Sequence, residues 1–231
     1  MDLQLNGKRA LVTGGSKGIG KAIALQLARE GCEVAIAARN PDELEAAAEE
    51  IVRHSKRKVV GLVVDTSDDA SVKALIEQTV AALGGIDILV NAAAKPGGQA
   101  PPPKLAEVTN DLFWDDVNVK VLGYLRTARE VAPHMAANGW GRIINVSGLA
   151  ARQTGSIVGS IRNVAVAALT KNLADELGPK GINVTVVHPG LTRTEKTEPL
   201  VAAMAQRSGD AAAEVEKRLG GNTTIGRIVD A

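Results

Sequence analysis

The chain has 231 residues, enough for one sizeable hydrophobic core, and is expected to form a single domain over residues 1–231. Lys plus Arg number 27 against 26 Asp plus Glu, a net charge of +1, so no excess of either sign is available to hold a polyanion or a membrane surface, and no nucleic-acid or membrane partner is expected. Two Trp, one Tyr and one Phe are too few for a base-stacking platform or for the core of an all-β sandwich, which leaves Ala, Val, Leu and Gly to build the fold. The single cysteine, Cys32, can form no internal disulfide, and His54, His134 and His188 show no metal-ligand spacing. With no run near the roughly 18 apolar residues of a membrane span and no apolar leader, the expected location is the cytoplasm.

Short apolar runs alternate with longer segments of helical period, the pattern of βαβ units around a parallel sheet buried on both faces. Strands are expected at Arg9–Thr13, Glu33–Ala38, Val59–Val64, Ile86–Asn91, Arg142–Ser147 and Asn183–His188. Helices are expected at Gly18–Glu30, Pro41–Ser55, Asp68–Leu83, Asn110–Asn138 and Ile157–Leu177. Pro41 followed by acidic residues marks one helix start, and Gly84-Gly85 marks a helix end. The segment Pro96–Pro103 reads as a loop at the carboxyl edge of the sheet, where doubly wound folds bind ligands. After about Met204 the pattern weakens to one candidate helix, Ala211–Leu219, with no further strand. The fold class is α/β: a Rossmann-type doubly wound parallel sheet in three α/β/α layers.

The first strand runs into Thr13-Gly14-Gly15-Ser16-Lys17-Gly18-Ile19-Gly20 and then into a helix, a geometry that suits a pyrophosphate. Gly14 permits the turn, Gly18 lets backbone approach phosphate, and Gly20 lets helix pack on strand; Ser16, Lys17 and Ile19 complete the cradle. The second strand ends Ala37-Ala38-Arg39, with no carboxylate to hold a ribose 2′-hydroxyl. Arg39 can stack on adenine and bond a 2′-phosphate while Lys17 adds a second positive charge, so NADP(H) is expected in preference to NAD(H).

With these motifs the sequence resembles the short-chain dehydrogenases/reductases from about Lys8 to Thr194. Asp65 and Thr66 follow the third strand, where the family contacts adenine. Asn91-Ala92-Ala93-Ala94 is similar to the family's Asn-Asn-Ala-Gly segment. Asn118, in Asp-Val-Asn-Val, matches the residue that holds a proton-relay water, and Ser147 ends the strand that leads to the catalytic Ser. Pro189 and Gly190, followed by Thr192 and Thr194, match the turn that holds the nicotinamide carboxamide. The resemblance implies reduction of a carbonyl or oxidation of an alcohol on a small molecule. It also implies a homodimer or homotetramer formed through Asn110–Asn138 and Ile157–Leu177, and a further helix and strand after Gly226-Arg227, which this sequence does not contain.

The family's proton donor is a Tyr with a Lys four residues later, and the alignment puts Gly159 and Asn163 at those positions. The one tyrosine, Tyr124, has Ala128 four residues on. Ser156 and Ser160 are too weakly acidic to replace it. Arg162 can stabilise a developing alkoxide without donating a proton readily, and His188 has a suitable intrinsic pKa but precedes Pro189 at a strand end. Asn118, Ser147, Arg162 and Asn163 are therefore the candidate catalytic residues. Two readings stay open: an NADP-dependent oxidoreductase with a non-standard or impaired site, and an inactive NADP(H)-binding sensor or partner subunit.

Overall fold

The computed structural model describes residues 2–95, 102–221 and 225–231. Six parallel strands form the main sheet: β1 (Arg9–Thr13), β2 (Glu33–Ala38), β3 (Val59–Val63), β4 (Ile88–Asn91), β5 (Gly141–Val146) and β6 (Ile182–Val187), in the order β3-β2-β1-β4-β5-β6. The strand order reverses between β1 and β4, whose register pairs Ala10 with Ile88 and Thr13 with Asn91. A doubly wound sheet opens its ligand crevice at that reversal, on the carboxyl side.

Period-2 alternation divides the sheet's side chains between two cores. Ala10, Val12, Val34, Ile36 and Val90 pack with Ala24 and Ala28 of α1 (Gly18–Arg29) and with Leu44 and Ile51 of α2 (Pro41–Ser55). Leu11, Ala35, Leu89 and Ile143 pack on the opposite face with Val72, Leu75 and Ile76 of α3 (Asp69–Leu83). Val131 and Met135 of α5 (Gly123–Ala137) and Leu177 of α6 (Ile157–Leu177) complete that layer. Local capping agrees with the sequence: Asn40 accepts from the amides of Asp42 and Glu43, and Asp68 accepts from Ser71 N. Cys32 is fully buried at the start of β2 with its thiol donating to Leu5 O, and burial pushes its pKa up to about 11.

Two expectations need correction. The helix expected over Asn110–Asn138 is α4 (Asn110–Val117) joined to α5 by one wide π turn, Asn118–Leu122. A π turn spends extra residues on one turn while keeping the helix axis, so apolar periodicity runs through it without a visible break. The chain also carries two more strands than expected after β6. Two-residue strands β7 (Thr192–Arg193) and β8 (Val229–Asp230) pair in parallel, around helices α7 (Thr197–Ser208) and α8 (Ala212–Gly221). Strands of two residues are too short to show a period. Most of the loop expected at Pro96–Pro103 lies outside the described residues.

Candidate functional site

A cleft of about 950 Å³ opens over the carboxyl ends of β1, β2, β4 and β5. Gly14, Ser16, Lys17, Gly18, Ile19 and Gly20 line its floor, and Arg39, Asp65 and Thr66 line one end. Ala92, Ala93, Ser147, Pro189 and Thr194 line the other. The glycine turn is built for backbone approach. Gly14 has φ +69°, and a Cβ there would stand 2.8 Å from the Ala92 carbonyl. A Cβ on Gly20 would stand 2.2 Å from Gly14 O, so α1 can rest on the turn only because that atom is missing.

At the start of α1 the amide of Gly18 donates to Glu195 Oε1 at 2.8 Å. A helix N-terminus presents unpaired amides and a positive dipole end, so the carboxylate stands where a phosphate oxygen would be held. Lys17 Nζ pairs with Glu43 at 2.8 Å, both partners being largely exposed. Arg39 is exposed and forms no ion pair among the described residues. The Asp65 carboxylate accepts from Ser67 Oγ at 2.6 Å and Ser67 N at 2.9 Å, and these bonds hold its pKa below the ordinary value. Thr66 Oγ1 donates to Val119 O at 3.1 Å, tying that end of the cleft to the π turn.

Asn91, Asn118, Arg162, Asn163, Gly190 and Thr192 lie away from the cleft lining. Asn91 is fully buried below it in a polar chain: Thr127 Oγ1 donates to Asn91 Oδ1, Asn91 Nδ2 to Asn145 Oδ1, and Asn145 Nδ2 to Thr170 Oγ1, at 2.7, 3.0 and 3.0 Å. This network joins β4 and β5 to α5 and α6. Gly190 accepts from Thr192 Oγ1 at 3.2 Å, and Thr192 itself belongs to β7. Asn118 turns its Nδ2 toward Ser67 O at 3.4 Å, leaving Oδ1 buried without a partner, so the structure does not bring it to Ser147.

The cation beside Ser147 is Lys120, which the sequence reading missed. Only 4 % of Lys120 is exposed; its Nζ donates to Ser147 O at 2.8 Å and to Asn163 Oδ1 at 2.9 Å, and it lines the cleft. Asn163 is buried, donates through Nδ2 to Gly159 O at 2.8 Å, and accepts the Ser147 hydroxyl on its carbonyl at 2.9 Å. Burial lowers the Lys120 pKa to about 7, with Arg162 pushing the same way and Asp116 opposing. A legible signal existed. The buried stripe Met135, Val131, Ala128 and Tyr124, traced back one more turn, reaches Lys120.

Of the remaining proton-donor candidates, all but His188 are occupied elsewhere. Tyr124 is buried with its hydroxyl donating to Val146 O at 3.0 Å, and burial raises its pKa well above the ordinary value. Arg162 pairs with Asp116 of α4. Ser156 caps α6 by accepting from Gly159 N at 3.1 Å. His188 is half-buried, outside the cleft lining, with Nδ1 unpartnered among the described residues.

Residues 8–205 match the family described as short chain dehydrogenase. An uncharacterized oxidoreductase of Mycobacterium tuberculosis is 39% identical over 196 residues, which cover 85% of this chain and 78% of the relative. L-sorbose reductase from Gluconobacter frateurii, complexed with NADPH and L-sorbose, superposes with a TM-score of 0.92 at 27% identity, covering 100% of this chain and 87% of that one. An NAD+-bound xylitol dehydrogenase gives a TM-score of 0.85 at 26% identity, covering 98% and 88%. No helix among the described residues is long and apolar enough to cross a membrane, and none of their side chains group into a metal site.

Proposed function

Since the chain belongs to the short chain dehydrogenase family, we propose that it is an NADP(H)-dependent oxidoreductase of a small-molecule carbonyl or alcohol, working through a non-standard site. The carrying observation is Arg39 just after β2, in no ion pair among the described residues though within the field of Asp65, on the rim of the same cleft as the Gly18 amide. An acidic residue there would select the 2′-hydroxyl; an arginine favours the 2′-phosphate. The fit of a dinucleotide rests on two features of this chain. Side-chain-free backbone at Gly14 and Gly20 shapes the cradle, and a carboxylate already occupies the anion position at α1.

Gly14, Gly18 and Lys17 would hold the pyrophosphate, Asp65 and Thr66 the adenine, and Pro189 and Thr194 the nicotinamide end. When bound, the cofactor supplies or accepts a hydride. Ser147 and Asn163 fix the floor of the reacting end, since the Ser147 hydroxyl is committed to Asn163 O. The absence of a tyrosine at Gly159 supports the second reading, a protein of this family that binds NADP(H) without turning it over.

Titration calorimetry of the wild type and Arg39→Asp tests the assignment. The wild type is expected to bind NADPH more tightly than NADH. Arg39→Asp should lose about tenfold or more in NADPH affinity, the value of one or two charge-assisted hydrogen bonds. Equal affinity of the wild type for both dinucleotides would overturn it. A homodimer or homotetramer and a cytoplasmic location complete the proposal.

A further inference from the structure

Lys120 is the one buried lysine or arginine among the described residues, and the two carbonyl oxygens it serves need N–H donors rather than a charge. We propose that Lys120 is the proton-exchanging residue of this site, giving a proton to a substrate carbonyl oxygen during reduction and recovering it in the reverse direction. This rests on the oxidoreductase reading above and supplies the group that Gly159 cannot.

The Lys120 nitrogen has four tetrahedral positions. One holds Cε, and two point at Ser147 O and Asn163 Oδ1. The fourth remains, in a side chain that lines the cleft. In the ammonium form that position carries an N–H; in the amine form it carries the lone pair, while both carbonyl acceptors keep their donors. Loss of the proton therefore orphans no buried group, which a proton-exchanging residue requires.

The surroundings set the ease of exchange. Arg162 from α6 faces the site with like charge, Asp116 from α4 opposes it, and the Tyr124 hydroxyl, one helical turn on, is fixed to Val146 O. The balance leaves the amine titrating at about 7, close to the ideal for a general acid at neutral pH.

An N–H bond of the Lys120 ammonium breaks and an O–H bond forms on the substrate. The C=O becomes a C–O single bond as its carbon receives a hydride, with its two electrons, from the reduced dinucleotide. The alcohol, the oxidised dinucleotide and neutral Lys120 result, and Lys120 regains a proton from water.

The test combines a titration with turnover. Lysine side chains carrying 13C at Cε are followed by NMR across pH 5–11 in the wild type, and Lys120 is assigned by its loss in Lys120→Met. NADPH binding is measured by calorimetry on both proteins. Oxidation of bound NADPH is then followed with ethyl acetoacetate, cyclohexanone and L-sorbose. A Lys120 signal with a midpoint near pH 7 is expected, with NADPH affinity changed less than about threefold in the variant. NADPH oxidation should fall roughly 100-fold or more in Lys120→Met and in the permanently charged Lys120→Arg, and methylamine should partly restore it in Lys120→Ala. Titration of Lys120 above pH 10, or wild-type oxidation rates in Lys120→Met, would overturn the proposal. If the variants do not fold, Lys120 is assigned in the wild type by through-bond correlation of its side chain to the assigned backbone, and its titration still decides. Failure of the wild type to bind NADPH, or to oxidise it with any of the three carbonyls, would instead overturn the oxidoreductase reading, and this proposal with it.

Discussion

A lysine as deeply buried as Lys120 leaves a signature in stability as well as in chemistry. Below about pH 7 it is charged in both the folded and unfolded chain, and the folded state bears the full cost of desolvating it. Above its ordinary value of 10.5 it is neutral in both, and that cost is gone. Between these limits the unfolded chain holds more protons, so the unfolding free energy rises with pH by at most about 1.4 kcal/mol per unit from this group. From pH 7 to pH 9 the wild type should therefore gain about 2 kcal/mol relative to Lys120→Met in urea unfolding, and an unchanged difference would show that the ammonium is not desolvated. Residue identity alone does not reveal this, because lysine is rarely found fully buried. The glycines are another matter: Gly14 and Gly20 are legible because a strand-to-helix corner with that spacing has few steric alternatives.

Between elements, the segment that follows β6 reaches across the cleft to α1. Glu195 satisfies the Gly18 amide there, so a dinucleotide phosphate must displace a carboxylate and then share the cleft with its charge. Glu195→Gln keeps a polar side chain and removes the repulsion, and it should tighten NADPH binding by about three- to tenfold in calorimetry. Unchanged affinity would mean that the carboxylate swings clear without cost. The sequence could not show this contact, since 177 residues separate its partners. It did show α1, α2 and α3, whose apolar faces, and in α2 and α3 whose caps, are local. The π turn was hidden for a different reason: its backbone change reorients Asn118 and Lys120 while the apolar positions on either side keep their order. Asn91 stood out by motif; in the structure it joins β4, β5 and α5 through buried hydrogen bonds, a long-range pairing that no spacing encodes.

At the scale of the molecule, the two faces of the sheet are covered but α6 keeps an outward apolar stripe. Ile157, Ile161 and Val164 are 42, 45 and 51% exposed at a spacing of four and then three residues, with Ala168 one turn further. Leu112 and Trp114 of α4 are also exposed. Continuous exposed apolar surface of this kind is characteristic of an association face. Val164→Glu is expected to convert the proposed oligomer to a monomer in sedimentation velocity with little effect on folding of the isolated chain; a wild type that already sediments as a monomer would remove this role for the stripe. The layer order and the parallel sheet were legible in alternating apolar runs, because a strand buried on both faces needs them. From Thr192 onward α8 was legible, but β7 and β8, at two residues each, are too short to leave an alternating pattern.

The position of Cys32 gives the molecule a built-in stopwatch. Its sulfur is sealed beneath the edge where β2 begins, hydrogen-bonded to Leu5 O and reluctant to ionise. A chromogenic disulfide reagent can meet that sulfur only in molecules whose amino-terminal half has come apart. The colour that develops therefore counts excursions of the nucleotide-cradling half of the chain, and a tightly held dinucleotide slows the count in proportion to its occupancy.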